Sequence, residues 1–140
     1  MTTAIDTNLI VALWDKDKSL SSIAQSALDT ALGRGGLVVA APVFAELLAS
    51  PGRNEAFLDA FFRDTGIVVD WEIHETMWRA AGHAFKTYAS RRRKQDGSGP
   101  RRILADFVIG AHAVHKGCDL LTLDDHLYRA AFPSLRLLRV

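Results

Sequence analysis

The segment Leu37-Val38-Val39-Ala40-Ala41-Pro42 decides the fold class, because it is apolar throughout and only as long as a β-strand. Glycines precede it and a proline ends it, so the apolar run has sharp boundaries. A strand without polar alternation is typical of a parallel sheet that helices cover on both faces. The proline then suits the first turn of the helix that follows. The segment therefore predicts an α/β protein.

Short apolar strands and helical patterns alternate along the rest of the chain. We expect further strands at these positions: residues 3–6, 66–70, 119–122 and 135–140. Helical spacing of apolar residues predicts helices over these segments: 9–14, 19–32, 43–48, 54–64, 72–90, 102–116 and 125–131. A polar connection is expected over residues 91–100. This alternation implies an α/β/α sandwich with a central, mainly parallel sheet of four to five strands.

The composition excludes several classes of protein. With 140 residues, 49% hydrophobic and 24% charged, the chain reads as one globular domain over residues 1–140, and not as a disordered, collagenous or coiled-coil chain. Cys118 is the single cysteine, which excludes an internal disulfide and a cysteine zinc site and favours a reducing compartment. The chain shows neither a signal peptide nor an apolar run of about 18 residues, so we expect a cytoplasmic protein with no membrane partner.

Four acidic residues lie where parallel sheets place their functional sites, near the carboxyl ends of strands. Asp6 closes the first predicted strand, and Asp124 follows the strand over residues 119–122. Glu46 lies on the helix after the 37–41 strand, among apolar neighbours. Asp106 interrupts an apolar helical run, so its side chain points toward the interior. Such carboxylates repel one another unless a cation lies between them.

An all-oxygen ligand set favours Mg²⁺ or Mn²⁺ and metal-assisted hydrolysis of a phosphodiester. All four acids also have purely structural alternatives. Asp6 could cap the helix that follows it. Glu46 could pair with a base such as Arg53. Asp106 could form a buried ion pair with Arg102, four residues earlier.

The sequence blocks that carry these acids resemble those of PIN-domain endoribonucleases, most closely the VapC toxins of prokaryotic toxin–antitoxin pairs. The resemblance rests on AIDTNLI at residues 4–10, PVFAELL at 42–48, RILADFVIGAH at 102–112 and LLTLD at 120–124. Two shorter blocks follow, YRAAFP at 128–133 and LRL at 135–137. All of them occur in the order of the family, and the chain has the length of a single PIN domain.

The resemblance implies the toxin of a type II VapBC system. Such a toxin is a Mg²⁺- or Mn²⁺-dependent endoribonuclease that cuts RNA and is inhibited by a cognate VapB-type antitoxin. The family also implies a homodimer, with hetero-oligomers when the antitoxin is bound. None of these properties follows from the composition.

The resemblance also implies roles for individual residues. The catalytic acids are Asp6, Glu46, Asp106 and Asp124. Of these, Asp6, Asp106 and Asp124 correspond to metal ligands, and the glutamate ligates directly or through water. Asn8 and Thr122 match supporting positions that orient the acids or a bound water. The spacing from Thr122 favours Asp124 over its neighbour as the acid that faces the metal.

The neighbouring residue, Asp125, has another interpretation. Asp124 and Asp125 could form an N-cap pair at the start of the helix that follows, and capping is the role we favour for Asp125.

Six basic residues flank the predicted polar connection: Arg91, Arg92, Arg93, Lys94, Arg101 and Arg102. An acidic pocket repels phosphate, so a nuclease with a net charge of only +1 needs a local basic surface. We therefore predict that these residues bind the RNA backbone. Two alternatives remain: a solvated helix end, where bases interact favourably with the helix dipole, and a contact with the antitoxin.

Two other functions are compatible with acids at strand ends. A phospho-accepting receiver domain has a similar acidic edge, but it needs a lysine after a late strand, whereas Lys116 lies at the end of a predicted helix. A catalytically silent PIN fold that only binds other proteins is the second alternative.

Overall fold

The computed structural model describes residues 1–97 and 101–140, and it contains a five-stranded sheet whose strands are all parallel. The strands are β1 (Thr3–Ile5), β2 (Leu37–Ala40), β3 (Val68–Asp70), β4 (Asp119–Leu121) and β5 (Leu137–Leu138). Their order is β3-β2-β1-β4-β5. The chain therefore moves outward from β1 to β3 and then crosses over to β4. This crossover makes the β1–β4 boundary the topological switch point, where parallel sheets bind their ligands.

Seven helices connect the strands in the described part of the chain. They are α1 (Thr7–Leu13), α2 (Lys18–Leu32), α3 (Ala41–Leu48), α4 (Glu55–Thr65), α5 (Glu75–Lys94), α6 (Leu104–His115) and α7 (Asp125–Ala131). Helix α1 contacts α2 and α3, and α3 contacts α4. The last three helices contact one another, and α3 also contacts α6. Two groups of helices on one parallel sheet confirm the predicted α/β/α sandwich. None of the helices among residues 1–97 and 101–140 is long and apolar enough to cross a bilayer.

The central strands provide the middle of the hydrophobic core. Ile5 on β1, Val39 on β2 and Leu120 on β4 are all buried, as the unbroken apolar patterns predict. Helix α6 packs tightly against the chain after α7, since a Cβ atom built on Gly110 would lie 2.3 Å from the ring of Phe132. This close packing fixes the helix that carries Asp106.

Helix α5 begins at Glu75, three residues later than the predicted helix over residues 72–90, and it continues to Lys94. Residues 91–94 therefore form its last turn, and their predicted place in a polar connection is wrong. Four consecutive bases interact favourably with the carbonyl end of a helix, which explains the extension. Residues 98–100 of the predicted connection lie outside the described residues.

Candidate active site

Asp6 lies at the switch point, directly after β1 and next to β4. It is 4% exposed, and its backbone N–H donates to the carbonyl of Leu121 at 3.0 Å. Its Oδ1 accepts a hydrogen bond from the Thr7 N–H at 2.8 Å, and its Oδ2 accepts one from the Thr122 hydroxyl at 2.7 Å. Asp6 therefore caps α1, as the structural alternative predicts, but the cap uses only one carboxylate oxygen.

The environment of Asp6 disfavours its negative charge. Burial raises the pKa of Asp6 from 3.8 to about 6, although the hydroxyls of Thr122 and Tyr128 and the N–H of Thr7 lower it. The charge of Asp106 raises this pKa further. Neutral donors alone therefore leave the carboxylate under-compensated, which is the condition that a bound cation would relieve.

Asp106 lies in the first turn of α6 and is half-buried. Its pKa is raised by burial first, and then by the charges of Glu46 and Asp124, while Arg102 lowers it. Carboxylates from α3, α6 and the loop before α7 thus act on one another electrostatically. We call Asp6, Glu46, Asp106 and Asp124 the acidic cluster.

Glu46 joins this cluster through a contact with α1. Its Oε1 accepts a hydrogen bond of 2.6 Å from the Thr7 hydroxyl. The alternative pairing with Arg53 is wrong, because that guanidinium lies over the rings of Trp14 and Phe57, at 4.6 and 4.4 Å from their centroids. Glu46 is therefore oriented toward the acidic cluster and not toward the surface base.

Asp124 forms an ion pair inside the site. Its Oδ2 lies 2.5 Å from Nη1 of Arg102, and both side chains are largely buried, at 31% and 22% exposed. Arg102 therefore pairs with Asp124. The structural alternative, an ion pair between Arg102 and Asp106, is wrong. The arginine is the positive charge that balances this side of the acidic cluster.

Asp125 turns away from the acidic cluster. Its carboxylate lies 3.1 Å from Arg129 and 3.6 Å from Arg139. It is the first residue of α7, and Asp124 occupies the N-cap position without a capping hydrogen bond. The predicted capping role of Asp125 is wrong, and Asp124 is the member of the pair that lies among the other acids.

Thr122 connects three parts of the site through one hydroxyl. Besides donating to Asp6, this hydroxyl accepts hydrogen bonds from the N–H of Asp124 at 2.9 Å and from Nδ2 of Asn8 at 3.3 Å. One donation and two acceptances are the full capacity of a hydroxyl. Oδ1 of Asn8 also accepts from the N–H of Leu123 at 3.2 Å. Asn8 and Thr122 thus hold the β4 loop against the residues after β1.

The donor set suits a hard divalent cation, because it consists of carboxylate oxygens whose charges act on one another. In the described part of the chain, however, no three His, Cys, Asp or Glu side chains are arranged to hold a metal ion as they stand. The Asp124–Arg102 ion pair engages one oxygen of one of these carboxylates.

Two residues of the site are not identified from the sequence. Thr7 positions both Asp6 and Glu46. Tyr128 is fully buried and acts on the pKa of Asp6. An Asp-Thr pair before a helix is the only local signal for Thr7, and a tyrosine at helical spacing is indistinguishable from an ordinary core residue.

Four of the six basic residues line a cavity of about 480 Å³ between α5 and the start of α6. These are Arg92, Arg93, Arg101 and Arg102. Phe85 and Tyr88 form part of the same cavity wall. Arg91 lines a different cavity, against α7. Because Arg102 also contacts Asp124, the basic cavity adjoins the acidic cluster.

A second ionic group lies at the end of β3. Nε2 of the fully buried His112 is 2.9 Å from Oδ2 of Asp70, and Nζ of Lys116 is 3.5 Å from the same oxygen. Burial raises the pKa of Asp70, but hydrogen bonds from His112 and the Glu72 N–H and the charge of Lys116 bring it below its ordinary value. The three residues of this group lie far apart in the sequence, at positions 70, 112 and 116.

The chain matches the PIN domain family over residues 3–133. No curated protein matches it. Among solved structures, VapBC-1 from nontypeable Haemophilus influenzae is similar at a TM-score of 0.67 and 21% identity, with 99% of this chain and 98% of that chain covered. VapBC2 from Rickettsia felis, bound to a DNA fragment from their promoter, is similar at a TM-score of 0.64 and 18% identity, covering 99% and 98%. FitAcB from Neisseria gonorrhoeae is similar at 0.57 and 18%, covering 98% and 96%.

Proposed function

The chain belongs to the PIN domain family, and from this premise we propose that it is a metal-dependent endoribonuclease, the toxin of a VapBC-type toxin–antitoxin pair. The observation that carries the proposal is the buried, under-compensated carboxylate of Asp6 at the switch point, beside three further acids. A fold retains such repulsion where a cation binds. The whole chain, residues 1–140, is proposed to act as a single PIN domain.

Asp6, Asp106 and Asp124 are the proposed ligands of Mg²⁺ or Mn²⁺. The ion would supply charge stabilisation at the phosphate and a more acidic water. Glu46 accepts a hydrogen bond from Thr7, and we propose that it completes the pocket or positions the attacking water. Thr122 and Asn8 hold Asp6 and the loop after β4 in fixed positions relative to each other. The water attacks phosphorus in line, so no covalent intermediate with the protein is needed.

Asparagine at the acidic cluster tests this proposal. D6N and D106N keep the shape of each side chain and remove its charge, so we expect cleavage of cellular RNA in Mg²⁺ to fall at least about 100-fold in each. EDTA should abolish cleavage by the wild-type protein. D64N is the matched control, because Asp64 is an exposed carboxylate on α4 and should leave the rate unchanged. Full activity of the D6N/D106N double variant would refute the site.

The basic residues are proposed to bind the RNA backbone. Replacing residues 91–94 with glutamate should weaken RNA binding and reduce its salt dependence, since each phosphate contact releases counterions. Glutamate at Arg63 and Arg79, which are exposed bases on α4 and α5, provides a control that reverses two bases instead of four and so has half the change of charge. Unchanged binding after the 91–94 substitutions would leave the favourable interaction with the end of α5 as the explanation for these bases.

The proposed partners are RNA, a cognate VapB-type antitoxin and a second copy of this chain. Similar structures that contain VapBC and FitAB pairs support an antitoxin partner. Co-expression of the protein encoded beside this chain should relieve growth arrest and inhibit RNA cleavage by the purified pair. Light scattering of the purified toxin tests the homodimer directly.

A catalytically silent PIN fold is the second candidate, and the Asp124–Arg102 ion pair favours it. In that case Arg102 would be a permanent counterion, and neither Mg²⁺ nor Mn²⁺ would support RNA cleavage. The receiver-domain alternative is not proposed, because the chain matches the PIN domain family. Lys116 pairs with Asp70 at the end of β3, and β1 lies between β2 and β4 in the sheet.

A further inference from the structure

The basic cavity between α5 and the start of α6 has a mainly apolar wall, which phosphate binding by its arginines does not explain. One side of this wall comes from α5, where Phe85, Tyr88 and Ala89 recur at the spacing of a single helical face. The other side comes from Ile103 and Leu104, which are 54% and 43% exposed. Apolar side chains left open to solvent beside a cavity are typical of a site for a ligand with an apolar part.

The charges around the wall favour an anionic ligand. The described residues that line the cavity include four arginines and no acid. Of these four, only Arg102 forms an ion pair with an acid in the described part of the chain, and its partner is Asp124. Nε of Arg92 is buried and has no hydrogen-bond partner among residues 1–97 and 101–140. A buried donor without an acceptor costs free energy, so a ligand that brings oxygen acceptors would stabilise it.

The shape and the place of the cavity favour RNA over an acidic protein segment. The rings of Phe85 and Tyr88 lie nearly parallel, at 13°, with their centroids 6.2 Å apart. Aromatic rings and guanidinium groups are the surfaces on which planar bases stack. The contact between Arg102 and Asp124 joins the cavity to the acidic cluster. A strand with one phosphate at the acidic cluster therefore has a neighbouring nucleotide beside the cavity, whose volume of about 480 Å³ suits a small ligand.

We propose that the basic cavity binds one unpaired nucleobase of a single-stranded RNA, while its arginines contact the flanking phosphates. The proposal rests on the proposed function, because it specifies which form of RNA that function acts on. A paired base is stacked inside a duplex and cannot enter a cavity without leaving the helix. The cavity therefore makes the protein prefer single strands and loops, and its apolar wall determines that preference.

Ala89→Trp tests the cavity, because an indole at this position occupies the space beside the wall without changing the charge. A labelled single-stranded oligoribonucleotide is compared with the same strand annealed to its complement, by fluorescence anisotropy in EDTA. Wild type should bind the single strand more tightly than the duplex. A89W should bind the single strand about tenfold more weakly than wild type does, which is the effect of losing one stacked base. Its affinity for the duplex should not change.

Ala84→Trp is the matched control. Ala84 lies on the same helix and is half-buried like Ala89, but it lines the separate cavity of about 420 Å³ against α7. A84W should therefore keep the wild-type preference for the single strand. The melting temperatures of both variants establish that each is folded before RNA is added.

Ile103→Ser is a second variant, chosen because the fold tolerates it. Ile103 is exposed at the N-cap position of α6, where serine is a favoured residue, so I103S should melt no lower than wild type. The loss of this apolar side chain should weaken binding of the single strand about threefold and leave binding of the duplex unchanged.

Equal affinities of wild type, A89W and I103S for the single strand would overturn the proposal and leave the antitoxin as the occupant of the cavity. Equal binding of the two RNAs by wild type, or an equal loss of both in A89W, would also overturn it. In each case, cleavage of cellular RNA by wild type in Mg²⁺ would show that the nuclease function stands. If wild type neither binds nor cleaves RNA, the base-binding cavity and the proposed function both fail.

Discussion

Asp6 and Asp70 are two acids at the carboxyl ends of parallel strands, and the fold treats them in opposite ways. Asp70 ends β3 and receives His112 and Lys116 as basic partners, so its pKa lies below the ordinary value. Asp6 follows β1 and receives hydrogen bonds from Thr7 and Thr122, which are neutral. Its pKa is raised to about 6. Position in the sheet therefore does not decide the electrostatics of a carboxylate.

The difference separates an acid that is paired with bases inside the fold from one that is buried without a basic partner. Asp70 connects β3 to the C-terminal part of α6 through its basic partners. The contacts stabilise the carboxylate and also give the bases an acidic partner. Asp6 gains nothing comparable inside the chain, and the neighbouring Asp106 makes its charge less favourable still. A buried charge without an opposite charge beside it lowers the free energy of unfolding, and a bound cation can offset that loss. Four predictions test whether the two acids differ in this way.

Removal of Asp70 should have the largest effect on stability. D70A leaves the buried Nε2 of His112 without its partner, so we expect the free energy of unfolding to fall by about 3 kcal/mol. RNA cleavage per folded molecule should remain at the wild-type rate. Urea denaturation measures the first quantity, and D64A, at an exposed carboxylate, should change it by less than about 0.5 kcal/mol. Equal losses in D70A and D64A would contradict a supporting role for Asp70.

In the absence of divalent ions, Asp6 should make the folded protein less stable as pH rises, which is opposite to the effect of Asp70. Its folded-state pKa of about 6 exceeds the ordinary 3.8, so the folded protein binds this proton more tightly than the unfolded chain does. Stability should therefore fall as pH rises from about 4 to 7, by about 2–3 kcal/mol relative to D6N. Asp70 has a lowered pKa, so the stability it contributes is lost as pH falls through that value. Parallel pH profiles of wild type and D6N would show that burial of Asp6 has no such cost.

A divalent cation should stabilise the protein through the acidic cluster. Mn²⁺ at ten times its dissociation constant should add about 1.4 kcal/mol to the free energy of unfolding, or about 5 °C to the melting temperature. The gain should vanish in D106N and persist in D70A, after allowance for the lower starting stability. Differential scanning calorimetry gives both values. A gain that survives D106N would place the cation elsewhere on the protein.

Removal of Arg102 should have the smallest effect on stability. The side chains of Arg102 and Asp124 keep 22% and 31% of their surface in solvent, so R102A should lower the free energy of unfolding by no more than about 1 kcal/mol. Asp124 would then no longer be held by an arginine, so Mn²⁺ should bind R102A at least as tightly as wild type in calorimetric titrations. Weaker Mn²⁺ binding in R102A would mean that the ion pair orients Asp124 for the cation and does not compete with it.

Much of the architecture is predictable from local patterns. The apolar run at residues 37–41 correctly predicts a buried parallel strand, and the placement of Asp6 and Asp124 after strands correctly predicts that they lie at one edge of the sheet. The end of α5 is predicted wrongly, since the four bases extend the helix through its last turn. Periodicity reports which residues are buried, but it is a weak guide to where a charged helix end stops.

The sequence by itself determined the strand and helix order, the parallel sheet and the acids that follow its strands, because these depend on the spacing of apolar residues along the chain. Only the tertiary structure decided which charges meet. Asp70 finds His112 across 42 positions, and Arg102 finds Asp124 across 22. Electrostatic and hydrogen-bond energies depend on distances in space of a few ångströms, and spacing along the chain does not specify these once several bases compete for each acid.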